Sequence, residues 1–325
     1  MRTPSVIDVA KAAGVSPSTV CRALNGRGEI NARTREKILA ASKRLGYVRN
    51  AAASNLRLKR SDTVACVMPD GDNELHIDKL HLLKRRITDA GYRWALSTFR
   101  GGDERDALLD EIVAARPAGL VVRGKVAAEK LGVLRARGVP TVFYDDDVPG
   151  FDSVVLDRAR GVEQAVRFLL DKGRRRVLLL GSGLANDRGR GYVAAHKAAR
   201  VRVDRSLARD EPFGRDLYAY GYEQTAAALA EVEFDAMVCV NDACAIGAMR
   251  ALHEAGLGVP DRVSIVGFDN IMVSAYTTPA LSTVAQPIDE MAQQAVSLLT
   301  ARIAKPGVKR RRIELATAFL ARESA

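Results

Sequence analysis

Residues 5–24 run Ser5-Val6-Ile7-Asp8-Val9-Ala10-Lys11-Ala12-Ala13-Gly14-Val15-Ser16-Pro17-Ser18-Thr19-Val20-Cys21-Arg22-Ala23-Leu24, and they read as two short helices joined by a tight turn. Ser5 and Asp8 have capping-box spacing, with Asp in place of the usual Glu or Gln. Val6, Val9, Ala10 and Ala13 then share one helical face, and Gly14 ends that helix. Ser16 is placed to cap a second helix, with Pro17 at its first position, where a missing N–H costs nothing. Val20 and Leu24 turn inward, while Ser18 and Arg22 share another face with Pro17 and Cys21 beside them. Asn25-Gly26 stops this helix. Asn31 starts a third, with Ile38, Ala41, Ser42 and Leu45 inward and Gly46 at its end. Two short helices across a glycine-containing turn, followed by a third, make a helix-turn-helix.

Charge singles out the same segment. The first 60 of the 325 residues carry thirteen Lys/Arg against three Asp/Glu, and the rest carry 37 against 36. A basic head on a neutral body points to a polyanion, and to nucleic acid before others. In a helix-turn-helix the second helix enters the major groove. Arg22 can then grip guanine O6 and N7 with two hydrogen bonds, and Ser16, Thr19 and Asn25 suit phosphate oxygens.

The totals imply two or more domains, and the 47% apolar content is that of a folded chain. No apolar run approaches the ~20 residues of a membrane span. The first residues lack an apolar signal region, so a cytoplasmic protein is expected. Cys21, Cys66, Cys239 and Cys244 show no metal-ligand spacing and read as reduced thiols. No metal or cofactor is expected. Gly181-Ser182-Gly183 lacks the third glycine of a dinucleotide loop, and Asp145-Asp146-Asp147 lacks the alternating oxygens of a calcium loop. Residues 49–60 are alanine-rich, basic and too short for a stable isolated helix, which leaves a plain linker or a segment that folds on DNA.

From residue 61 onward, short apolar strands alternate with helices. The strands fall at 63–68, 94–97, 119–122, 141–144, 177–180, 237–240 and 263–266. The intervening helices fall near 76–90, 103–115, 127–137 and 160–172. This is the pattern of parallel sheets covered on both faces, in two series, with ligand bound in a crevice at the carboxyl ends of the strands. Lys309–Arg312 reads as a solvated edge strand or loop.

The stretches 8–16, 18–26, 34–38 and 45–53, with a nearly continuous match over 6–60, resemble the head of the lactose-repressor (LacI/GalR) family. Cys21 departs from the serine common there. The resemblance implies a DNA-facing set of Ser5, Ser16, Pro17, Ser18, Thr19, Arg22 and Asn25, continued in the hinge by Asn50, Ala53, Leu56 and Arg57. Two hinges, one per protomer, would pack in the minor groove, with Leu56 wedged into the central base step, a contact that kinks DNA at the cost of unstacking.

The body resembles the type I periplasmic-binding-protein fold through Val67-Met68-Pro69-Asp70, Asn241-Asp242-Ala243-Cys244, Ser264-Ile265-Val266-Gly267-Phe268-Asp269 and Pro279-Ala280-Leu281-Ser282-Thr283. The implied fold is an all-α head (1–48), a hinge (49–60) and an α/β body of two doubly wound parallel-sheet subdomains. One subdomain would take about 61–158 and 287–310, the other about 159–286 and 311–325. The implied effector set is Leu75, His76, Arg123, Asp145, Asp157, Arg188, Asn241 and Asp269. Its carboxylates and amide suit the paired hydrogen bonds of sugar hydroxyls. Arg123, ending a strand, suits an anionic group. The expected whole is a repressor, not an enzyme, that binds a palindromic duplex operator as a homodimer or higher oligomer and answers to a small carbohydrate. A cytosolic solute receptor and an enzyme are the competing readings. The basic head speaks against the first. The lack of a nucleophile–base pair, metal cluster or phosphate loop speaks against the second.

Overall fold

A computed structural model of the protein describes residues 4–24, 30–47, 61–71, 73–210 and 216–325, in two units, Met1–Ser61 and Asp62–Ala325. Asn25 and the hinge 49–60, with Asn50, Ala53, Leu56 and Arg57, lie outside the described residues.

The head holds three helices, α1 (Val6–Ala13), α2 (Pro17–Leu24) and α3 (Ala32–Arg44). Both legs of the capping box form: Ser5 N donates to Asp8 Oδ2 at 2.8 Å and Asp8 N to Ser5 Oγ at 3.4 Å. Gly14 ends α1 with φ +69°, the left-handed conformation that a Cβ would strain. The helices bury Val9, Ala10, Val20, Ala23, Ile38 and Ala41 against one another, and Val6, Ala13, Leu24 and Leu45 pack around them. So small a core suffices because the periodic apolar positions of all three helices meet at one point.

The body begins with a six-stranded parallel sheet in the order β2-β1-β3-β4-β5-β11, where β1 is Thr63–Pro69, β2 Arg93–Phe99, β3 Gly119–Val122, β4 Thr141–Tyr144, β5 Asp152–Asp157 and β11 Arg312–Ala316. Helices α4 (Glu74–Asp89), α5 (Gly102–Ala114), α6 (Ala128–Arg137) and α11 (Ile288–Ala304) accompany it. Leu83 and Ile87 of α4 and Met291, Ala295 and Leu299 of α11 cover one face, while Leu109, Val113 and Leu134 belong to the cluster on the other. Central strands such as β3 and β4 are buried at every position, as strands covered on both faces must be.

The second sheet has the order β7-β6-β8-β9, all parallel, with β6 Val177–Leu180, β7 Ala208–Arg209, β8 Ala236–Cys239 and β9 Ser264–Val266. Its helices are α7 (Arg158–Asp171), α8 (Asp187–Ala198), α9 (Leu217–Glu231) and α10 (Asp242–Glu254). Beside it, β10 (Thr283–Ala285) and β12 (Ala318–Leu320) form an antiparallel pair, a departure from the all-parallel expectation.

The chain passes between the subdomains near 157, near 287 and near 317. The last crossing corrects the expected boundary at 310/311. Residues 312–316 pair with β5 in the first sheet, and only the residues beyond them join the second subdomain, where Ile265 N donates to Ser324 O at 2.8 Å. A buried ion pair that local sequence does not announce stands beside this return. Arg302 on α11 grips Asp152 at the start of β5 through two bonds of 2.9 Å, and Asp152 Oδ1 also accepts Arg311 N at 2.8 Å. That contact ties the backbone just before β11 to the start of β5. Arg312 then opens the edge strand, paired with Asp147 and Glu314, which agrees with the edge position expected for this basic run.

Helices α9 and α10 cross at two reciprocal glycines. A Cβ on Gly221 would stand 2.0 Å from Cys244 O, and one on Gly247 would stand 2.0 Å from Tyr218 O. Backbone cannot yield as a side-chain tip does, so Gly221→Ala should cost about 1–3 kcal/mol through overpacking. Urea unfolding of the two proteins checks this, and an unchanged midpoint would show that the helices can part freely.

Candidate functional site

The two sheets direct their carboxyl ends at a common cleft of about 750 Å³, within the usual size of a small-molecule site. Each wall follows from strand ends, as parallel α/β topology requires. From the first subdomain, Asp70 follows β1, Arg123 and Lys125 follow β3, and Asp145 and Asp146 follow β4; from the second, Arg188 lies beyond β6, Asn241 follows β8 and Asp269 lies beyond β9. Two of these carboxylate residues have left-handed backbone, Asp145 at φ +72° and Asp269 at φ +110°. Non-glycine residues held there carry strain of about 1–3 kcal/mol, which clusters at ligand sites. The tight reversal leaves each carboxylate lining the cleft at a strand's end.

Of the residues expected from the sequence, Leu75, His76, Arg123, Asp145, Arg188, Asn241 and Asp269 all line this cleft. Asp157 does not. Its Oδ1 accepts Arg160 N at 2.9 Å and caps α7, and it borders a neighbouring cavity of about 440 Å³ instead. The residue after it, Arg158, is the one that reaches the cleft. Lys79, Arg158, Lys125 and Gln286 were missed. Lys79 had a legible signal, since it stands three residues after His76 on the same helical face. Gln286 had none, because the register of the second crossing alone brings it in.

Asp145 is the hub of the first wall. Lys79 Nζ approaches its Oδ2 at 3.0 Å, Arg123 Nη2 the same oxygen at 3.4 Å, and Arg158 bonds Oδ1. Burial pushes the Asp145 carboxyl up, but the three cations outweigh it and hold the group well below the usual carboxylate range. Burial lowers His76, and the neighbouring Arg123 and Lys79 lower it further, so it is neutral.

On the second wall, burial pushes Asp269 up to about 6 against the opposing pull of Arg188, Lys79 and Arg123. Gln286 Nε2 donates to Asp269 Oδ1 at 2.6 Å. Arg188 lies over the Phe268 ring at 4.6 Å, and burial lowers it to about 10. Asn241 caps α10, its Oδ1 accepting Cys244 N at 2.9 Å. Among the described residues, three cleft atoms are buried without a partner: His76 Nε2, Arg188 Nε and Gln286 Oε1. Buried polar groups left unmet cost about 1–3 kcal/mol each, a cost that a polar partner in the cleft would relieve.

In the head, Ser16 Oγ accepts Thr19 N at 3.2 Å and lies 2.7 Å from Ser18 Oγ and 2.8 Å from Thr19 Oγ1. Ser16, Pro17, Ser18 and Arg22 are exposed, Thr19 and Cys21 are half-buried, and Val20 beneath them is buried. Ser5 is half-buried and engaged in its capping box. Helix α2 therefore presents hydroxyls at its start and the Arg22 guanidinium in its last turn, outward on a helix held from below.

A helix-turn-helix head joined to a two-subdomain body with a polar cleft defines a ligand-sensing regulator of transcription. Residues 5–50 match the bacterial regulatory proteins of the lacI family, and residues 166–325 match the periplasmic binding protein-like domain. The HTH-type transcriptional regulator reg1 of Streptomyces lividans is 34% identical over 93% of this chain and 90% of its own. The ribose operon repressor of Escherichia coli K12 is 29% identical over 98% of both chains. A crystal structure of the lac repressor dimer bound to operator and the anti-inducer ONPF superposes with a TM-score of 0.87 at 26% identity, over 99% of both chains. The chain belongs to the lacI family of bacterial regulatory proteins. Its relatives are transcriptional regulators, not enzymes. Among the described residues no helix is long and apolar enough to cross a membrane.

Proposed function

We propose that this chain is a cytoplasmic repressor that binds a palindromic duplex operator as a homodimer and is switched by a carbohydrate-type effector in the cleft. The observation that carries the reading is the presence in one chain of an exposed Ser18–Arg22 face on a capped α2 and a cleft with three unmet buried polar atoms. In this reading Ser5, Ser16, Pro17, Ser18 and Thr19 face the backbone and groove edge, and Arg22 reads a base. Asn25, Asn50, Ala53, Leu56 and Arg57 complete the DNA surface. The lac repressor dimer, caught on its operator, supports the assembly. The ribose operon repressor supports a carbohydrate response.

Two half-sites should lie about one helical turn, ~10 bp, apart, because the protein's twofold must match the operator's. Ligand and operator should be linked by about 1–3 kcal/mol, reciprocally. Operator binding by fluorescence anisotropy, with and without a cleft ligand, tests this. Protection of a single half-site, or ligand affinity that is the same on and off DNA, refutes it.

Asp269 makes the effector response depend on pH. A ligand hydroxyl donating to this carboxylate needs it ionised, whereas the free cleft takes up a proton as pH falls below about 6. Effector affinity should therefore drop between pH 7 and pH 5, by up to about tenfold per unit below the pKa. Calorimetric titration across that range reads it, and Asp269→Asn should flatten the profile.

A further inference from the structure

Donors dominate the first wall of the cleft. Lys79, Arg123 and Arg158 converge on the single carboxylate of Asp145, and exposed Lys125 stands at the rim. Of the other acids on this wall, Asp146 accepts Gly124 N at 2.6 Å and Asp70 pairs with Arg100 at 3.4 Å. His76 is 5% exposed, and its Nδ1 lies 3.4 Å from Arg123 Nη1. A guanidinium only donates, so the proton of this neutral imidazole sits on Nε2. That N–H is buried with no partner among the described residues, as is Nε–H of Arg188. The cap residues add to the bias. Asn73, Asn186 and Asn241 commit their carbonyl oxygens to helix N-termini at 2.8, 3.0 and 2.9 Å, which leaves their NH₂ groups for a ligand. Acceptors concentrate on the second wall, in Asp269 and the unmet Oε1 of Gln286.

A neutral sugar matches the second wall but not the first. It would cover Arg123 and the His76 donor with hydroxyls and bring no charge to a first wall whose Lys79, Arg123, Lys125 and Arg158 outnumber Asp70, Asp145 and Asp146. An anionic group answers both demands. We infer that the effector is a sugar acid in the broad sense: a polyhydroxylated carbohydrate carrying a carboxylate or a phosphate. Its anion lies against Arg123, His76 and Lys125, and its hydroxyls lie against Arg188, Asn241, Asp269 and Gln286. The cleft of about 750 Å³ has room for one or two sugar rings. This inference rests on the reading that the cleft takes a carbohydrate effector.

The test is calorimetric titration of the full-length protein with glucose, gluconate and glucose 6-phosphate, and with ribose, ribonate and ribose 5-phosphate. The acidic member of a set should bind at least tenfold more tightly than its neutral parent, and carboxylate and phosphate members separate the two anion sources. Arg123→Gln and, independently, Lys125→Gln should each shrink that preference, with folding checked by circular dichroism. Lys125 is exposed, so its replacement does not endanger the fold. A neutral sugar that binds as tightly as its acid, or a preference unchanged in both variants, overturns the anionic effector and leaves the carbohydrate reading standing. No binding by any of the six overturns the carbohydrate reading itself, and this inference with it.

Discussion

Asp145→Ala is expected to destabilise the body by about 3–5 kcal/mol, the cost of breaking a buried ion pair by removing one partner. Lys79 is 2% exposed and would be left without the carboxylate 3.0 Å away, while Arg123 and Arg158 would lose their shared counter-charge. Asp145→Asn should cost nearly as much, because it keeps the shape and removes the charge. The pH dependence identifies the cause. The folded protein holds the Asp145 carboxyl below its ordinary value, so the native state binds its proton less readily than the unfolded chain does. Its contribution is therefore fully present above pH ~4 and is lost as pH falls further, toward the folded pKa. Denaturant unfolding at pH 7 should separate parent and variant widely, and the gap should narrow progressively below pH 4. A gap that stays constant with pH would mean that packing, not charge, is what the substitution removes.

Arg22→Ala should have the larger functional effect. Arg22 is exposed on α2, so its loss leaves the head's core intact and the melting temperature unchanged. A bidentate arginine–guanine contact is worth about 1–3 kcal/mol, and the proposed dimer would make two. Operator affinity should fall by about 2–6 kcal/mol, roughly 30-fold to more than 10⁴-fold. The informative readout is specificity. Competition with operators altered at the contacted base pair should show the variant accepting all four pairs alike. If every duplex weakens equally and discrimination survives, Arg22 touches phosphate instead.

Much of this was legible because the head is local. The capping box of Ser5 and Asp8, the left-handed Gly14 and the Ser16-Pro17 start involve residues within a few positions of one another, and their spacing states the geometry. The cleft was legible in part because strands announce their own ends, which point to Arg123 and Asp145, and in part through the motifs that carry the family resemblance, which point to Asn241 and Asp269. Asp157 ends a strand, yet its carboxylate turns back to cap α7, and Arg158 takes the place expected of it. Whether a carboxylate caps a helix or faces a ligand is settled by side-chain torsions that spacing does not encode.

By itself the sequence determined the three-helix head, the alternation that makes a doubly wound body and the strand ends that line the cleft. Those properties follow from periodicity and caps over a turn or two of chain. Tertiary structure alone decided that 312–316 return to the first sheet, beside the Arg302–Asp152 pair spanning 150 positions. It alone gathered Lys79, Arg123 and Arg158 around one carboxylate. The reason is physical: the free energy of a buried charge depends on what surrounds it in three dimensions, and no local pattern reports which distant cations the fold will bring.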